Sequence, residues 1–374
     1  MPFCVPTITG KERSFIDGLL DDPSSLTQGA YNSKVEAWFQ KMNPKGITKT
    51  TKSCTQALEL TAQLLGIEKG DEVIMASFTH VSTANAFVLR GATPVFIDIN
   101  PNTMNIDASL IEHGITEKTK AVVVMHYGGV ACEMDAIVEI CKKHNIPLVE
   151  DNAHGIMATY RGMPLGSFGD ISCISFDHQK NITCNQGGSI SINNKSLLAK
   201  FESIYDLGTD KANFLRGEIE NYEWQSTGSN HQMSELSAAF LYAQLEEADM
   251  LTKQRLLSWN LYHDLLKELV IRECIALPYI PEYCKHNGHI FYIKTNNAPK
   301  RDELIAFLKT HEITALFHYT PLHSSEFGKK AGRISGSDLH TKNESEKLIR
   351  LPLYHEITQE QIEFIVDKIK LFYS

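Results

Sequence analysis

The chain has 374 residues, of which 43% are hydrophobic and 22% are charged, so it can bury a sizeable core and is not expected to be disordered. The formal net charge of −9, without any block rich in lysine and arginine, argues against nucleic acid as a partner. No apolar stretch approaches the roughly 20 residues of a membrane-spanning helix, and no secretory signal pattern is found, so we expect a cytoplasmic protein. The eight cysteines are scattered without a CxxC pair, which predicts reduced thiols and no metal site.

Short apolar segments alternate with longer helical segments between residues 51 and 193, which predicts βα units around a mostly parallel sheet. The predicted strands are Glu72–Met75, Thr93–Ile97, Ala121–Met125, Pro147–Glu150, Ile171–Ser175 and Gly188–Ile192. Each is short and apolar, as expected of strands that are covered on both faces. Helices are predicted at Ser53–Leu65 and at Val81–Arg90, the second of them ending at Gly91.

The rest of the chain predicts a second, smaller unit. Two long helical segments, Met233–Asp249 and Leu251–Leu269, are separated by a brief polar break, where we place the boundary between a large α/β domain (1–249) and a small C-terminal α+β domain (250–374). The N-terminal segment could pack on the small domain. Within that domain we predict a strand at His289–Lys294, helices at Arg301–Glu312 and Thr358–Phe372, and a mobile loop at Ser324–Ser345.

Two charged residues follow predicted strands. Asp151 comes directly after the strand Pro147–Glu150, and Lys180 lies in the tight connection between the next two strands. Ligands of parallel α/β sheets bind at this carboxyl edge. Taken singly, an acidic residue at such a place is more often a helix cap, and most lysines are solvated surface charges. A lysine inside a site, in contrast, can have a lowered pKa and attack carbonyl groups.

The combination of these residues with a helix start is more specific than either alone. Ser53, Cys54 and Thr55 open a predicted helix, whose first amides can bind a phosphate. Lys180 offers an amine for a Schiff base, and Asp151 offers a carboxylate for a pyridinium nitrogen. These are the three requirements of a pyridoxal phosphate site, which is therefore the predicted cofactor site.

Several segments spread over nearly the whole chain carry a resemblance to a known family. They are GDEVIM at Gly70–Met75, VSTANAFVLRGA at Val81–Ala92, TMNID at Thr103–Asp107, VACEMD at Val130–Asp135, FHYTPLH at Phe317–His323 and RLP at Arg350–Pro352. They resemble the DegT/DnrJ/EryC1/StrS sugar aminotransferases. The resemblance implies an α/β fold of type I, with a large domain around a mostly parallel sheet and a smaller C-terminal α+β domain. It also implies a homodimer with shared active sites.

The resemblance also assigns roles to single residues. Lys180 holds the cofactor as an internal aldimine and moves the proton, Asp151 pairs with the pyridine nitrogen, and His154 lies close to the ring or its 3-hydroxyl. His80 falls where the family usually has an aromatic residue that stacks on the ring. The phosphate is assigned to Ser53, Cys54, Thr55 and Ser175, with Asn230 reaching it from the neighbouring subunit.

The turn around Lys180 departs from the family pattern. Asp177 replaces a histidine of that pattern, and Asn185 with Gln186 replaces Gly-Glu. An arginine that is common in the segment Tyr205–Lys211 is also missing. We interpret these changes as tuning, because the lysine stays in register. The alternative from another class is a regulatory protein that binds the cofactor without turnover.

The substrate is the least determined part. His318, Tyr319 and His323 lie in a segment that in the family is near the sugar nucleotide, although such residues are often simply packing. The resemblance implies L-glutamate as the donor and dTDP-4-keto-6-deoxyglucose as the acceptor, in lipopolysaccharide or O-antigen biosynthesis. A 3-keto sugar, or a UDP or GDP carrier, is the alternative. A related dehydratase branch has histidine in place of the lysine, and Lys180 argues against it.

Overall fold

Eight strands form one large sheet in this computed structural model, which describes every residue of the chain except the side chain of Gln28. In the order in which they neighbour one another they are β1 (Ile47–Thr51), β9 (Gly188–Ile192), β8 (Ile171–Ser175), β5 (Leu148–Asp151), β4 (Thr119–Met125), β2 (Glu72–Ala76), β3 (Thr93–Ile97) and β13 (Arg333–Ile334). All neighbouring pairs are parallel except β1–β9 and β9–β8. The strand β9 therefore runs against the other seven, and the predicted mostly parallel sheet is confirmed.

Helices cover both faces of this sheet. Those that precede the small C-terminal part are α1 (Lys11–Asp21), α2 (Ser25–Gln28), α3 (Ala30–Met42), α4 (Cys54–Leu64), α5 (Val81–Val88), α6 (Ile111–Gly114), α7 (Met134–His144), α8 (Leu198–Tyr205), α9 (Lys211–Leu215) and α10 (Glu235–Glu246). Alternate strand residues enter opposite cores, since Val73 and Met75 pack with the buried residues of α4 and α5, whereas Ile74 packs with those of α6 and α7. Burial on both faces explains why these strands are continuously apolar.

A smaller antiparallel sheet forms the second centre of packing. Its strands are β10 (Ile275–Ala276), β12 (Phe291–Thr295) and β14 (Leu348–Leu351), and it is accompanied by α11 (Ala248–Ile271), α12 (Ala298–Thr310), α13 (Glu326–Ala331), α14 (Leu339–Lys347) and α15 (Gln359–Phe372). Phe291 and Ile293 are fully buried against residues of α11 and α15. The first residues of the chain pack here, because Thr314 and Leu353 donate backbone hydrogen bonds to Met1 and Phe3.

A third sheet of three short strands, β7 (Met163–Pro164), β6 (Thr159–Tyr160) and β11 (Cys284–Lys285), connects the two parts. The helices α10 and α11 are separated by Glu247 alone, so the predicted break exists but falls slightly earlier than expected. The division into domains 1–249 and 250–374 stays a prediction. Among the described residues, no helix combines the length and the apolar character needed to cross a membrane.

The prediction of a loop at Ser324–Ser345 is wrong, because this segment contains α13, β13 and most of α14. Long-range contacts, rather than local apolar periodicity, stabilise it. Arg333 donates two hydrogen bonds of 2.9 and 2.7 Å to the carboxylate of Glu72. Asp98 accepts from the backbone N–H of Thr341 at 2.7 Å and so fixes the start of α14. These partners are more than 200 residues away in the chain, so local reasoning could not find them.

Candidate active site

A cavity of about 760 Å³ opens at the carboxyl edge of the large sheet, between that sheet and the smaller one. Eight of the predicted cofactor-binding residues line it: Ser53, Cys54, Thr55, His80, Asp151, His154, Ser175 and Lys180. Of the predicted substrate residues, His318 and Tyr319 line it from the other side. The fold places these residues together because β2, β5 and β8 are parallel and end at the same edge.

Lys180 lies in the connection between β8 and β9, in a turn where its backbone N–H donates to the carbonyl oxygen of Asp177 at 2.9 Å. Burial lowers the pKa of the Lys180 ammonium, and the carboxylates of Asp151 and Asp177 act in the opposite direction. Desolvation disfavours the charged amine, so a larger fraction is neutral than for a surface lysine. This side chain is therefore a nucleophile that faces the cavity.

Asp151 ends β5 and is buried, yet it forms no ion pair with any described cationic side chain. Its Oδ2 accepts a hydrogen bond of 2.7 Å from Thr83 of α5, and its Oδ1 accepts from the backbone N–H of Ala153 at 3.2 Å. Thr79 lies 2.9 Å from the hydroxyl of Thr83. A buried carboxylate without a cation is costly unless a charged partner enters the site. The structure thus leaves a carboxylate available for a positively charged group in the cavity.

The N-terminus of α4 forms another wall. Ser53 is the N-cap, and its Oγ accepts from the backbone N–H of Gln56 at 3.1 Å, while the first amides of the helix have no partner within it. Thr55 donates to the hydroxyl of Ser82 at 3.0 Å. A Cβ on Gly188 would lie 2.4 Å from the carbonyl carbon of Ser53, so glycine is required for β9 to approach this helix start. Amides and hydroxyls together make an anion-binding surface.

Three histidines also line the cavity. The rings of His154 and His289 have centroids 4.2 Å apart, and His289 Nδ1 lies 2.8 Å from Asn181 Oδ1. His318 Nδ1 lies 2.9 Å from the hydroxyl of Tyr127. Burial lowers the pKa of all three histidines well below the usual value, so they are neutral near pH 7. They offer flat, uncharged rings to a bound aromatic group.

His80 is the N-cap of α5, where its Nδ1 accepts from the backbone N–H of Ser82 at 3.2 Å. Burial lowers the pKa of His80, and the charge of Lys180 lowers it further. Its ring centroid lies 6.2 Å from that of Tyr319. The residue therefore presents a neutral ring at the cavity, and its stacking on the cofactor stays a prediction.

These residues fit pyridoxal phosphate. An amine with a lowered pKa, a buried carboxylate without a cation, and a helix start with free amides are the groups that a Schiff base, a pyridinium nitrogen and a phosphate require. All of them face one cavity of sufficient size. The individual assignments nevertheless stay proposals.

Two predicted residues lie elsewhere in the chain's own structure. His323 is buried outside the cavity lining, with Nδ1 2.6 Å from Ser77 Oγ and Nε2 3.0 Å from Asp338. Asn230 is exposed and does not line the cavity of its own subunit. Its predicted contact is with the phosphate in a neighbouring subunit and stays a prediction.

Two of the residues that depart from the family pattern lie at the mouth of the cavity. Asp177 pairs with His178 there at 2.9 Å, and Gln186 lines the same cavity.

The sequence reasoning missed four residues of this site. Thr83 holds Asp151, and His289, Arg255 and Arg350 line the cavity from the C-terminal part. Three of them lie more than 70 residues after Lys180, and the local sequence of Arg255 and His289 does not point to a site. Thr83 and Arg350 carried a signal, since they stand in the VSTANAFVLRGA and RLP segments on which the resemblance rests.

Comparison with known proteins gives consistent matches. A model of the DegT/DnrJ/EryC1/StrS aminotransferase family matches residues 8–370. GDP-perosamine synthase of Escherichia coli O157:H7 is 31% identical, over 100% of this chain and 99% of its own. The spore coat polysaccharide biosynthesis protein SpsC of Bacillus subtilis is 29% identical, over 99% of this chain and 96% of its own. The solved structure of an aminotransferase from Psychrobacter cryohalolentis is similar with a TM-score of 0.92 at 25% identity, covering 100% of this chain and 99% of that one.

Proposed function

The chain belongs to the DegT/DnrJ/EryC1/StrS aminotransferase family, and we propose that it moves an amino group from L-glutamate to the keto carbon of a nucleotide-linked 4-keto-6-deoxy sugar. Membership makes it a pyridoxal-phosphate-dependent sugar aminotransferase of fold type I, so the predicted family, cofactor, enzyme class and fold are confirmed. The proposed parts are the donor, the carbon that receives the amine, and the nucleotide.

One observation carries the proposal for the site. Asp151 is a buried carboxylate without a cation, and it lines the same cavity as the half-buried amine of Lys180. An aminotransferase needs a carboxylate for the ring nitrogen of its cofactor and an amine for the carbonyl. Asp151 accepts hydrogen bonds only from Thr83 and Ala153 and lines the cavity, whereas the buried carboxylate of Asp98, which has a structural role, accepts from Ile99, Ser337, His340 and Thr341.

Pyridoxal phosphate, when bound, supplies the electron sink that stabilises negative charge on the carbon losing its proton. Asp151 Oδ2 would hold a proton at the ring nitrogen, and Thr83 would keep that carboxylate oriented. Lys180 Nζ would hold the cofactor carbonyl and, once free of it, would take the proton from the donor carbon in one half-reaction and supply a proton to the acceptor carbon in the other. Because burial lowers the pKa of this amine, the neutral form that these steps require is more populated.

The remaining predicted residues would bind and orient the cofactor. Ser53, Cys54 and Thr55 would hold the phosphate through the amides and hydroxyls at the start of α4, with Ser175 beside them. His154 and His80 would contact the ring, and the lowered pKa of each keeps them uncharged beside Lys180. We further propose a cytoplasmic homodimer in which Asn230 of each subunit reaches the phosphate in the other.

For the acceptor we propose dTDP-4-keto-6-deoxyglucose, for which the support is the sequence resemblance, and a role in polysaccharide biosynthesis such as that of O-antigen. A GDP-linked sugar is the second candidate, because the relative with 31% identity over the whole chain is named as a GDP-perosamine synthase. Transfer to C3, or a UDP carrier, is the less supported alternative. His318 and Tyr319 line the cavity and are the proposed sugar contacts, while His323 is proposed only to support them.

The acceptor is tested by incubating the enzyme with pyridoxal phosphate, L-glutamate and either dTDP-4-keto-6-deoxyglucose or the corresponding GDP-linked 4-keto-6-deoxymannose. Mass spectrometry then measures the glutamate-dependent amino sugar product. We expect product with the dTDP substrate. Product with the GDP substrate alone would favour the second candidate, a GDP-linked sugar. No product with either substrate would contradict the assignment of a 4-keto sugar as the acceptor.

A further inference from the structure

The turn that holds Lys180 carries a carboxylate for which the proposed function has no use. Asp177 lies three residues before Lys180, lines the cavity and is partly exposed at its mouth. It replaces a histidine of the family pattern, and Gln186 in the same connection replaces a glutamate. One carboxylate is therefore absent from this connection and another has appeared in it, so the feature belongs to this chain and not to the pattern that the family shares.

One oxygen of the Asp177 carboxylate is engaged in the turn and the other is not. Its Oδ1 lies 2.9 Å from Nδ1 of His178 and accepts from the backbone N–H of Gln179 at 3.3 Å. Its Oδ2 forms no hydrogen bond with any described residue. The contacts of Oδ1 orient the carboxylate and are sufficient for its structural role in the turn. An oriented oxygen is thus left at the cavity for a hydrogen-bond donor of a ligand.

Asp177 lies near the reacting amine without touching it. The backbone N–H of Lys180 donates to the carbonyl oxygen of Asp177 at 2.9 Å, which closes a turn and keeps the two Cα atoms within roughly 7 Å of each other. Their side chains line the same cavity but form no ion pair with each other. The carboxylate is close enough to oppose the lowering of the Lys180 pKa by burial. A substrate group that is attached next to the reacting carbon can therefore reach Asp177.

The chemistry of a carboxylate decides which substrate group fits. An ionised carboxylate only accepts hydrogen bonds, so its partner is a hydroxyl or an ammonium group. The carboxylates of glutamate and the diphosphate of a sugar nucleotide are repelled by its charge. The amino group of the donor is itself the group that reacts. In a 4-keto-6-deoxy sugar, C5 carries the methyl group and the ring oxygen, so the only hydroxyl next to the reacting carbon is the one on C3.

We propose that Oδ2 of Asp177 accepts a hydrogen bond from the C3 hydroxyl of the sugar acceptor, and that this contact selects sugars that carry this hydroxyl. This inference rests on the proposed function and deepens it. A site built to bind a hydroxyl group discriminates against an analogue without it, because the acceptor in the protein is then left unpaired. Asp177 is only partly buried, so the discrimination is smaller than at a fully enclosed site.

The test compares dTDP-4-keto-6-deoxyglucose with its 3-deoxy analogue, and the corresponding pair of GDP-linked sugars, at saturating L-glutamate. The holoenzyme is studied as wild type, as Asp177→Asn, as Asp177→Ala and as Asp17→Asn, which changes an exposed aspartate of α1 outside the cavity. We expect kcat/KM in the wild type and in Asp17→Asn to be at least about tenfold higher for the sugar with the C3 hydroxyl. The ratio should fall below about threefold in Asp177→Ala, and it should be intermediate in Asp177→Asn, which keeps an acceptor without the charge.

The ratio between the two sugars separates this contact from an effect on Lys180. A change at the lysine alters kcat/KM for both sugars alike, and it also alters kcat/KM for glutamate, which reacts in the other half-reaction. A wild type without a preference, or the same ratio in the wild type and in Asp177→Ala, would overturn the proposal. A larger loss of kcat/KM for glutamate than for the sugar in Asp177→Asn would also overturn it, because the contact would then be with the donor. If Asp177→Ala does not fold, Asp177→Asn decides in the same way.

Calorimetry with dTDP-6-deoxyglucose and dTDP-3,6-dideoxyglucose, which lack the keto group, measures the same contact without turnover. The wild type should bind the first of these about tenfold more tightly, and Asp177→Ala should bind both with affinities within about threefold of each other. That preference in a wild type that aminates none of the keto sugars would reject the proposed function but leave the hydroxyl contact in place. Equal affinities in the wild type would overturn the contact.

Discussion

Thr83 donates a hydrogen bond of 2.7 Å to Oδ2 of Asp151, and in this way α5 fixes a carboxylate at the end of β5. Both residues are buried, and the bond joins positions that are 68 residues apart. The orientation of Asp151 thus depends on a residue to which the resemblance assigned no role, although it stands in the VSTANAFVLRGA segment.

Thr83→Val removes the hydroxyl while nearly keeping the side-chain shape. We expect the free energy of unfolding to fall by about 1–3 kcal/mol, because a buried carboxylate loses a donor. Urea denaturation measures it. Thr83→Ser is the matched control and should lose much less, since it can still donate. Equal losses in the two variants would contradict the prediction that the hydrogen bond to Asp151 is responsible.

Asp151→Asn keeps the shape and the contact with Thr83 but removes the negative charge. If Asp151 holds a proton at the ring nitrogen, we expect glutamate-dependent amino transfer to fall on the order of 10²-fold or more. The cofactor should still bind, because its lysine and phosphate partners are unchanged. Single-turnover absorbance changes measure the rate. A rate within threefold of the wild type would contradict the role of Asp151.

Gly188→Ala tests the close approach of β9 to the start of α4. The added Cβ would lie 2.4 Å from a backbone atom of Ser53 and 2.5 Å from the backbone nitrogen of Cys54, so the helix start must move. We expect a loss of about 1–3 kcal/mol in the free energy of unfolding, together with weaker cofactor binding. Gly18→Ala is the control, because nothing lies within 4 Å of its Cβ. Equal cofactor affinity in both variants would argue against the phosphate site.

The buried histidines predict how stability depends on pH. Burial lowers the pKa of His154, His289 and His318 in the folded apoprotein, so below about pH 6.5 the unfolded chain binds more protons than the folded one. Stability is therefore full above pH 6.5 and falls as the pH decreases toward 5. Each histidine contributes up to about 1.4 kcal/mol per pH unit. Urea denaturation of the apoprotein at several pH values measures this slope.

His318→Gln should reduce that slope by about one proton. The same slope in the wild type and in His318→Gln would mean that His318 is protonated in the folded protein, contrary to the effect of its burial.

Much of the large sheet could be predicted from the sequence, because strands buried on both faces are continuously apolar. β3, β8 and β9 lie within the predicted bounds. β1 was missed because its sequence ITKTT is largely polar. Its polar groups are satisfied in the fold, since the hydroxyl of Thr48 lies 2.7 Å from that of Ser191 on β9. That pairing joins positions 143 residues apart and has no local signal.

The residues of the candidate site also divide into those that the sequence could predict and those that it could not. Lys180 and Asp151 could be found because each follows a strand at the edge where parallel sheets bind ligands. Arg255 and His289 could not, because a helix and a loop of the C-terminal part bring them to the cavity through tertiary packing alone. His323 stands in the same motif as His318 and Tyr319, but its ring nitrogens lie 2.6 Å from Ser77 and 3.0 Å from Asp338, so its substrate contact stays a prediction.

The most direct test of the account is the visible absorption spectrum of the protein with pyridoxal phosphate, followed as L-glutamate is added. It is recorded for the wild type, for Lys180→Ala and for Lys253→Ala, which changes an exposed lysine of α11. We predict a yellow absorption band that glutamate bleaches in the wild type and in Lys253→Ala, and that is absent or unresponsive in Lys180→Ala. A wild type without the band, or a Lys180→Ala variant that glutamate bleaches normally, would contradict the central claim.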